Sequence, residues 1–258
     1  MQDILSSIIA AEKTCGDIML KHKAHHITDK SSSRDLVTEY DSLVQSMLIS
    51  KFSAEIPDAR FFCEEDNRHD SLSAKHVFII DPIDGTMNFV RHMNLSCISV
   101  AYASYGETLA AAVYNPFTGE MFHAEKGSGA FLNGNPITAE NCRLAETVVS
   151  CGTDPYDPEK ADFTFGLIKK LFVESLDIRR CGSAALDLCT VAAGRSGLYM
   201  EAGVSLWDYA AGALIAREAG AECYDFDGNV LGLKPGRTSI VCGCKNAVDD
   251  FFNKILLF

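Results

Sequence analysis

Four apolar residues, Val77-Phe78-Ile79-Ile80, run directly into Asp81-Pro82-Ile83-Asp84-Gly85-Thr86, and this junction constrains the fold more than any other segment. The β-branched and aromatic run predicts a strand, and a strand delivers whatever follows it to one edge of a sheet. Two carboxylates thus arrive together at a strand end. Pro82 fixes the backbone after Asp81, and Gly85 lets it approach a ligand closely. Thr86 stands where a helix can begin, with free N–H groups that attract phosphate. Metal and phosphate would be bound side by side.

The surrounding periodicities supply a framework for that edge. Ile4, Leu5, Ile8, Ile9, Cys15, Ile18 and Met19 recur at helical spacing, as do Leu43, Val44, Met47 and Leu48 after Asp41, so two helices open the chain. From Val77 to Met121 short β-branched runs are punctuated by Asn115-Pro116 and Thr118-Gly119, which are sheet and hairpin signals. Beyond Asn133-Gly134-Asn135-Pro136 strands and helices alternate, predicting an α/β second half. The predicted boundary lies near Glu140 to Glu146. It divides an N-terminal α+β part, residues 1–142, with helices, an antiparallel sheet and the metal-binding motifs, from a C-terminal α/β part, residues 143–258, that completes the active site.

Charge and cysteine usage narrow the partners. Residues Met1 to Lys23 carry Glu12, Lys13, Asp17 and Lys21 among the apolar positions, so they read as neither a signal peptide nor a spanning helix, and a soluble protein is expected. Ten cysteines without paired zinc spacing fit a reducing compartment, most simply the cytoplasm. Alternation around Ile240-Val241-Cys242 predicts that Cys242 and Cys244 share one face of a strand. A net charge of −12 disfavours nucleic acid and anionic membrane as partners, because both need a basic surface. Lys21-His22-Lys23, His25 and His26 read as a solvated cationic helix end. An anionic substrate would then need a bound cation to meet it.

Two further acidic signals lie outside the strand junction: Glu64-Glu65-Asp66 after Phe61-Phe62, and Trp207-Asp208 opening a helix. If Glu64, Asp81, Asp84 and Asp208 share one cleft, their mutual repulsion is relieved by hard divalent cations bound through oxygen. Taken singly, each has a local explanation. Asp208 reads equally as a helix N-cap and Asp84-Gly85 as a turn pair.

Taken together, Asp81-Pro82-Ile83-Asp84-Gly85-Thr86, Glu64-Glu65, Trp207-Asp208-Tyr209-Ala210-Ala211-Gly212 and Asp35-Leu36-Val37-Thr38 followed by Asp41 resemble the signatures of the inositol monophosphatase family. They occur in the family's order from about Lys30 to Gly220, and Met87-Asn88-Phe89-Val90 is similar to the inositol branch rather than the branch that cleaves phosphoadenosine phosphate. The resemblance implies an αβαβα sandwich of the inositol monophosphatase and fructose bisphosphatase type, a homodimer, and lithium sensitivity. It implies two or three Mg2+ ions on Glu64, Asp81, Asp84, Asp208 and the Ile83 carbonyl. It also implies that Gly182, Ser183, Ala184 and Glu201 line the ring side of a small phosphorylated polyol or sugar, with Lys30 nearby and Glu65 a further candidate. Cys63, Asn94 and Arg180-Cys181 depart from the family pattern.

By that resemblance the chain is a phosphoric monoester hydrolase acting on inositol 1-phosphate. Two-metal hydrolysis places cations roughly 3.5–4 Å apart to steady the attacking and leaving oxygens. Catalysis would rest on Glu64, Thr86 and Asp41, with Thr86, hydrogen-bonded to Asp41, orienting a water, and with Asp84, Gly85, Thr86 and Asp208 touching the phosphate or the leaving group. Glu201 reads equally as a hydroxyl acceptor and as an exposed acid at a strand end. The alternatives are a phosphatase for fructose 1,6-bisphosphate, NADP or histidinol phosphate, or a regulatory binding protein that retains the fold.

Two other motifs point to different phosphatase chemistries. Cys189 to Arg195 has the spacing of cysteine phosphatases, but Leu188 replaces the usual His and Cys189 continues an apolar helix face, which predicts an inert thiol. Asp225-Phe226-Asp227-Gly228-Asn229 resembles an aspartate-nucleophile motif, yet Asp227-Gly228 reads better as a hairpin turn.

Overall fold

The computed structural model describes residues 3–21, 27–29, 36–66, 68–155 and 157–256. Lys30, Asp35 and the histidines at 22–26 lie outside the described residues.

Helix α1 (Ile4–Leu20) begins at Asp3, whose carboxylate accepts the Ser6 N–H at 3.1 Å. A short hairpin, β1 (Ile27–Asp29) with β2 (Leu36–Thr38), leads into α2 (Glu39–Glu55). The start of α2 is fixed by a reciprocal capping box between Thr38 and Asp41, which places Asp41 inside the first turn.

A seven-stranded sheet follows: β3 (Arg60–Cys63), β4 (Val77–Asp84), β5 (Cys97–Ser104), β6 (Glu107–Asn115), β7 (Glu120–Glu125), β8 (Ala130–Leu132) and β9 (Asn135–Ile137), paired in chain order. Its first pair is parallel and the rest are antiparallel, with the short α3 (Thr86–Val90) between β4 and β5. The second sheet has the order β11-β10-β12-β14-β13, built from β10 (Val148–Cys151), β11 (Asp177–Arg179), β12 (Leu198–Val204), β13 (Glu222–Tyr224) and β14 (Thr238–Gly243). Helices α4 (Ala161–Glu174), α5 (Ala184–Ala192) and α6 (Leu206–Glu218) connect its strands. The last helix, α7 (Lys245–Asp250), runs into a π-turn at Phe251–Ile255.

Alternation along the strands explains how these pieces stack. On β5, Ile98, Val100 and Tyr102 pack with Leu48 and Phe52 of α2, while Cys97, Ala101 and Ala103 pack with residues of α5 and α6. On the second sheet Tyr199, Ile240 and Cys242 join that same middle core, whereas Leu198, Met200 and Val241 face Leu167, Leu171 and Val248 of α4 and α7. The result is an αβαβα sandwich with α5 and α6 between the sheets. The middle layer demands small side chains: a Cβ added at Gly212 of α6 would lie 2.7 Å from Cβ of Leu188 on α5.

One expectation is corrected. Cys242 and Cys244 do not share a strand face, because β14 ends at Gly243 and Cys244 caps α7. Cys242 points into the middle core, while Cys244 packs in the outer one with its sulfur 3.9 Å from that of Cys142. All ten cysteines are free thiols. No helix among the described residues is long and apolar enough to cross a membrane.

Candidate active site

Every residue of β4 is buried, and the strand ends in a register shift between Asp81 and Asp84 where Pro82 has no N–H to donate. The Asp81 carboxylate accepts the Ile83 N–H at 3.0 Å, bending the chain. Gly85 then adopts φ +84°, and a Cβ there would lie 2.9 Å from the Leu95 carbonyl and 3.2 Å from that of Gly182. Glycine is required on both counts. Thr86 opens α3, and its hydroxyl has two acceptors in reach, the Ile83 carbonyl at 3.1 Å and Asp41 Oδ1 at 3.3 Å. Asp41 is itself buried, with Oδ2 accepting the Thr38 N–H at 2.8 Å and the Thr38 hydroxyl at 2.5 Å. Burial pushes its carboxyl up to about 7 despite those hydrogen bonds, with Glu64 and Glu65 adding repulsion.

The other acids arrive from distant elements. Asp84 Oδ2 accepts the Ser183 hydroxyl at 2.6 Å and the Ala185 N–H at 2.7 Å, so the start of α5 grips a carboxylate that β4 supplies. Asp208 is not the N-cap of α6. Ser205 holds that position, and Asp208, three residues on, reaches back to accept the Ser205 N–H at 2.6 Å. Asp81, Asp84 and Asp208 each present a carboxylate oxygen within 4.8 Å of the others.

Glu64 and the Ile83 backbone line the same cleft. Glu65 does not line it. Its backbone is held by Gln45, which accepts from the Glu65 N–H and donates to the Glu65 carbonyl, both at 3.0 Å.

Burial first, and then Glu64, Asp84 and Asp208, raise Asp81 well above the ordinary carboxylate range; Asp208 is raised likewise. Asp84 rises only to about 6, because Ser183 and Ala185 stabilise its charge. Buried carboxylates crowded this way are costly when charged and unmatched. A hard divalent cation removes that cost, and an all-oxygen donor set of carboxylates and one carbonyl is what magnesium binds. The residues present therefore fit the ion.

Gly182, Ser183, Ala184 and Glu201 line the opposite wall. Glu201 is not a free surface acid: Oε2 accepts the Tyr199 hydroxyl at 2.6 Å and Oε1 the Asp154 N–H at 3.0 Å. A Cβ on Gly152 would lie 1.7 Å from Oε2, so the neighbouring loop closes on this carboxylate. Gly182 has φ +83° and lies under the Arg180 side chain, 2.6 Å from Nη1 at the position of an added Cβ.

Asp187 and Arg237, which sequence reasoning missed, also line the cleft, as does Arg180, noted in the sequence only as a departure from the family pattern. Asp187 sits four residues after Ser183, in the first turn of α5, and burial pushes its carboxyl up to about 7.

The two competing motifs lie elsewhere. Cys189 is fully buried in α5 and burial drives its thiol well above its ordinary value, leaving no thiolate. Asp225 closes the turn after β13, accepting the Asp227 and Asn229 N–H groups at 3.1 and 2.8 Å and pairing with Lys234 at 2.7 Å.

Comparison with known proteins places this geometry. The profile of the inositol monophosphatase family matches residues 1–256. The Nus factor SuhB of Pasteurella multocida (strain Pm70) is 35% identical over 259 residues, spanning 99% of this chain and 96% of the relative. An IMPase of Thermotoga maritima shares the fold with a TM-score of 0.89 at 32% identity, over 99% of this chain and 97% of its own. The extragenic suppressor protein suhB of Bartonella henselae does so at 0.89 and 30%, covering 98% of both chains.

Proposed function

The chain belongs to the inositol monophosphatase family, and we propose that it hydrolyses a small phosphate monoester, inositol 1-phosphate first among them, with magnesium held by Glu64, Asp81, Asp84, Asp208 and the Ile83 carbonyl. One observation carries this reading: carboxylates from β4 and α6, over a hundred residues apart, meet within 4.8 Å beside Gly85 and Thr86. Two or three magnesium ions, when bound, would supply the positive charge that phosphate needs and make a water more acidic.

The chain's own residues would do the rest. The amides of Gly85 and Thr86 would cradle phosphate oxygens. Thr86 Oγ1 would accept a hydrogen bond from the attacking water while its own proton is directed to Asp41, whose carboxyl near 7 matches the pH at which a proton acceptor works best. Glu201, held from two sides, would accept hydroxyl protons of a polyol, with Gly182, Ser183 and Ala184 shaping the wall. Lys30 joins this proposal by family resemblance alone. Lithium inhibition, a homodimer and a cytoplasmic setting belong to the same reading.

Phosphate release from inositol 1-phosphate, fructose 1,6-bisphosphate, NADP, histidinol phosphate and phosphoadenosine phosphate, with and without magnesium, tests it. Magnesium-dependent turnover led by inositol 1-phosphate supports it; no turnover of any of the five removes it.

The relatives named Nus factor favour a second reading, a Nus-factor-like role. The net charge of −12 directs such a role toward a protein rather than nucleic acid. Asp208→Asn separates the two, because it should abolish hydrolysis and leave a protein contact in place.

A further inference from the structure

Beyond the acids that would hold metal, a second polar network surrounds Asp154. Its carboxylate is fully enclosed and its backbone adopts φ +40°, a left-handed conformation uncommon outside glycine that aspartate tolerates better than most residues. Its main ionic partner is Arg237, just before β14. Its Nη2 donates to Asp154 Oδ1 at 2.5 Å and to the Gly203 carbonyl at 2.5 Å, tying the loop after β10 to the end of β12. The fit leaves no slack. A Cβ on Gly203 would lie 2.0 Å from Asp154 Oδ2, and β12 shifts register against β14 between Glu201 and Val204. In this conformation the Asp154 N–H donates to Glu201 Oε1 at 3.0 Å, while Tyr199 holds the other oxygen.

We propose that Arg237 and Asp154 are positioning residues that aim the Glu201 carboxylate, and so set the enzyme's preference for substrates carrying hydroxyl groups on the portion beyond the phosphate. The proposal rests on the phosphatase reading and adds the residues that enforce its selectivity. An ionic brace with one enclosed member is a stiff way to hold a loop, and the stiffness is used at Glu201. A carboxylate fixed at both oxygens keeps its remaining lone pairs in set directions, which rewards a ligand whose hydroxyls match them and gives nothing to a ligand that has none.

The test compares a hydroxyl-rich substrate, inositol 1-phosphate, with a hydroxyl-free one, phenyl phosphate, at saturating magnesium. Asp154→Asn weakens the brace while leaving the guanidinium in place. Arg237→Gln alone leaves the enclosed carboxylate to the more distant Lys160 Nζ, 3.9 Å from Oδ2, and risks misfolding. The double variant Arg237→Gln with Asp154→Asn removes both charges and serves as the folded form, checked by circular dichroism.

The expected result is a rise of about tenfold in KM for inositol 1-phosphate, the effect of one misdirected hydrogen bond, with kcat changed much less and with phenyl phosphate affected less than twofold. Arg237→Lys should recover part of the difference. Equal losses on both substrates in folded variants would overturn the proposal, as would a kcat effect without a KM effect. If the wild-type protein hydrolyses neither substrate, the phosphatase reading itself fails and takes this one with it. If it hydrolyses both with no preference that the variants alter, only the present inference falls.

Discussion

At the scale of single residues, Thr86 and Asp41 carry the sharpest prediction. Their contact spans 3.3 Å, and in the proposed hydrolysis it would matter most when the water is becoming a nucleophile. Thr86→Ala should therefore lower kcat by about 10²–10⁴ with KM little changed. Asp41→Asn should act similarly, and steady-state kinetics of the double variant should show losses well short of multiplicative. Glu12 makes a different point. It is wholly buried in α1 with no side-chain partner among the described residues, and the Val100 backbone is the one group favouring its charge. Burial raises its folded carboxyl far above 4.5, so the folded state keeps a proton that the unfolded chain loses. Stability should then fall as pH climbs above that ordinary value, by about 1.4 kcal/mol per unit from this group until the folded carboxyl itself ionises. Urea titrations of wild type and Glu12→Gln from pH 4 to 7 should show a gap that widens with pH; a constant gap would mean that Glu12 is charged in the fold.

At the scale of elements, what the sequence showed depended on whether the cause was local. The run from Val77 into Asp81 and Asp84 was readable because one strand and one turn contain all of it. Trp207-Asp208 does open α6, but the N-cap alternative for Asp208 fails: Ser205-Leu206-Trp207-Asp208 has the capping-box spacing, and Asp208 is its fourth member rather than its first. Cys242 and Cys244 were misplaced because alternation was carried one residue beyond the end of β14. Asp154 and Arg237 gave no signal at all, since 83 residues separate them and neither stands in a periodic pattern. Close packing of α5 on α6 was equally silent, and it yields a prediction. Gly212→Ala gains about 1 kcal/mol of helix propensity but forces a methyl to 2.7 Å from Leu188, an overpacking cost of about 1–3 kcal/mol. Net destabilisation should appear in urea unfolding, and Leu188→Ala in the same chain should not rescue it, because alanine keeps the Cβ that the added methyl meets and leaves a cavity besides.

At the scale of the whole molecule, the acids that make the cleft also oppose its assembly. Asp81, Asp84 and Asp208 are all raised in the fold, so without a cation stability should decline as pH rises from 5 to 8, with the Asp84 contribution ending near its folded value of about 6. Magnesium should reverse much of this, adding about 2.7 kcal/mol when present at a hundredfold excess over its dissociation constant. Differential scanning fluorimetry in chelator and in magnesium at both ends of that range would show it, and a shift that does not grow with pH would argue against these ligands. The grip of α5 on Asp84 gives this coupling a direction in time. Because β4 supplies the carboxylate and the first turn of α5 supplies its donors, a chain emerging from the ribosome owns the motif long before it owns the site. A nascent or half-assembled molecule should neither sequester magnesium nor attack phosphate esters. During refolding, hydrolysis would switch on only after the two sheets have closed over the helices between them, which makes the reaction a late reporter of maturation.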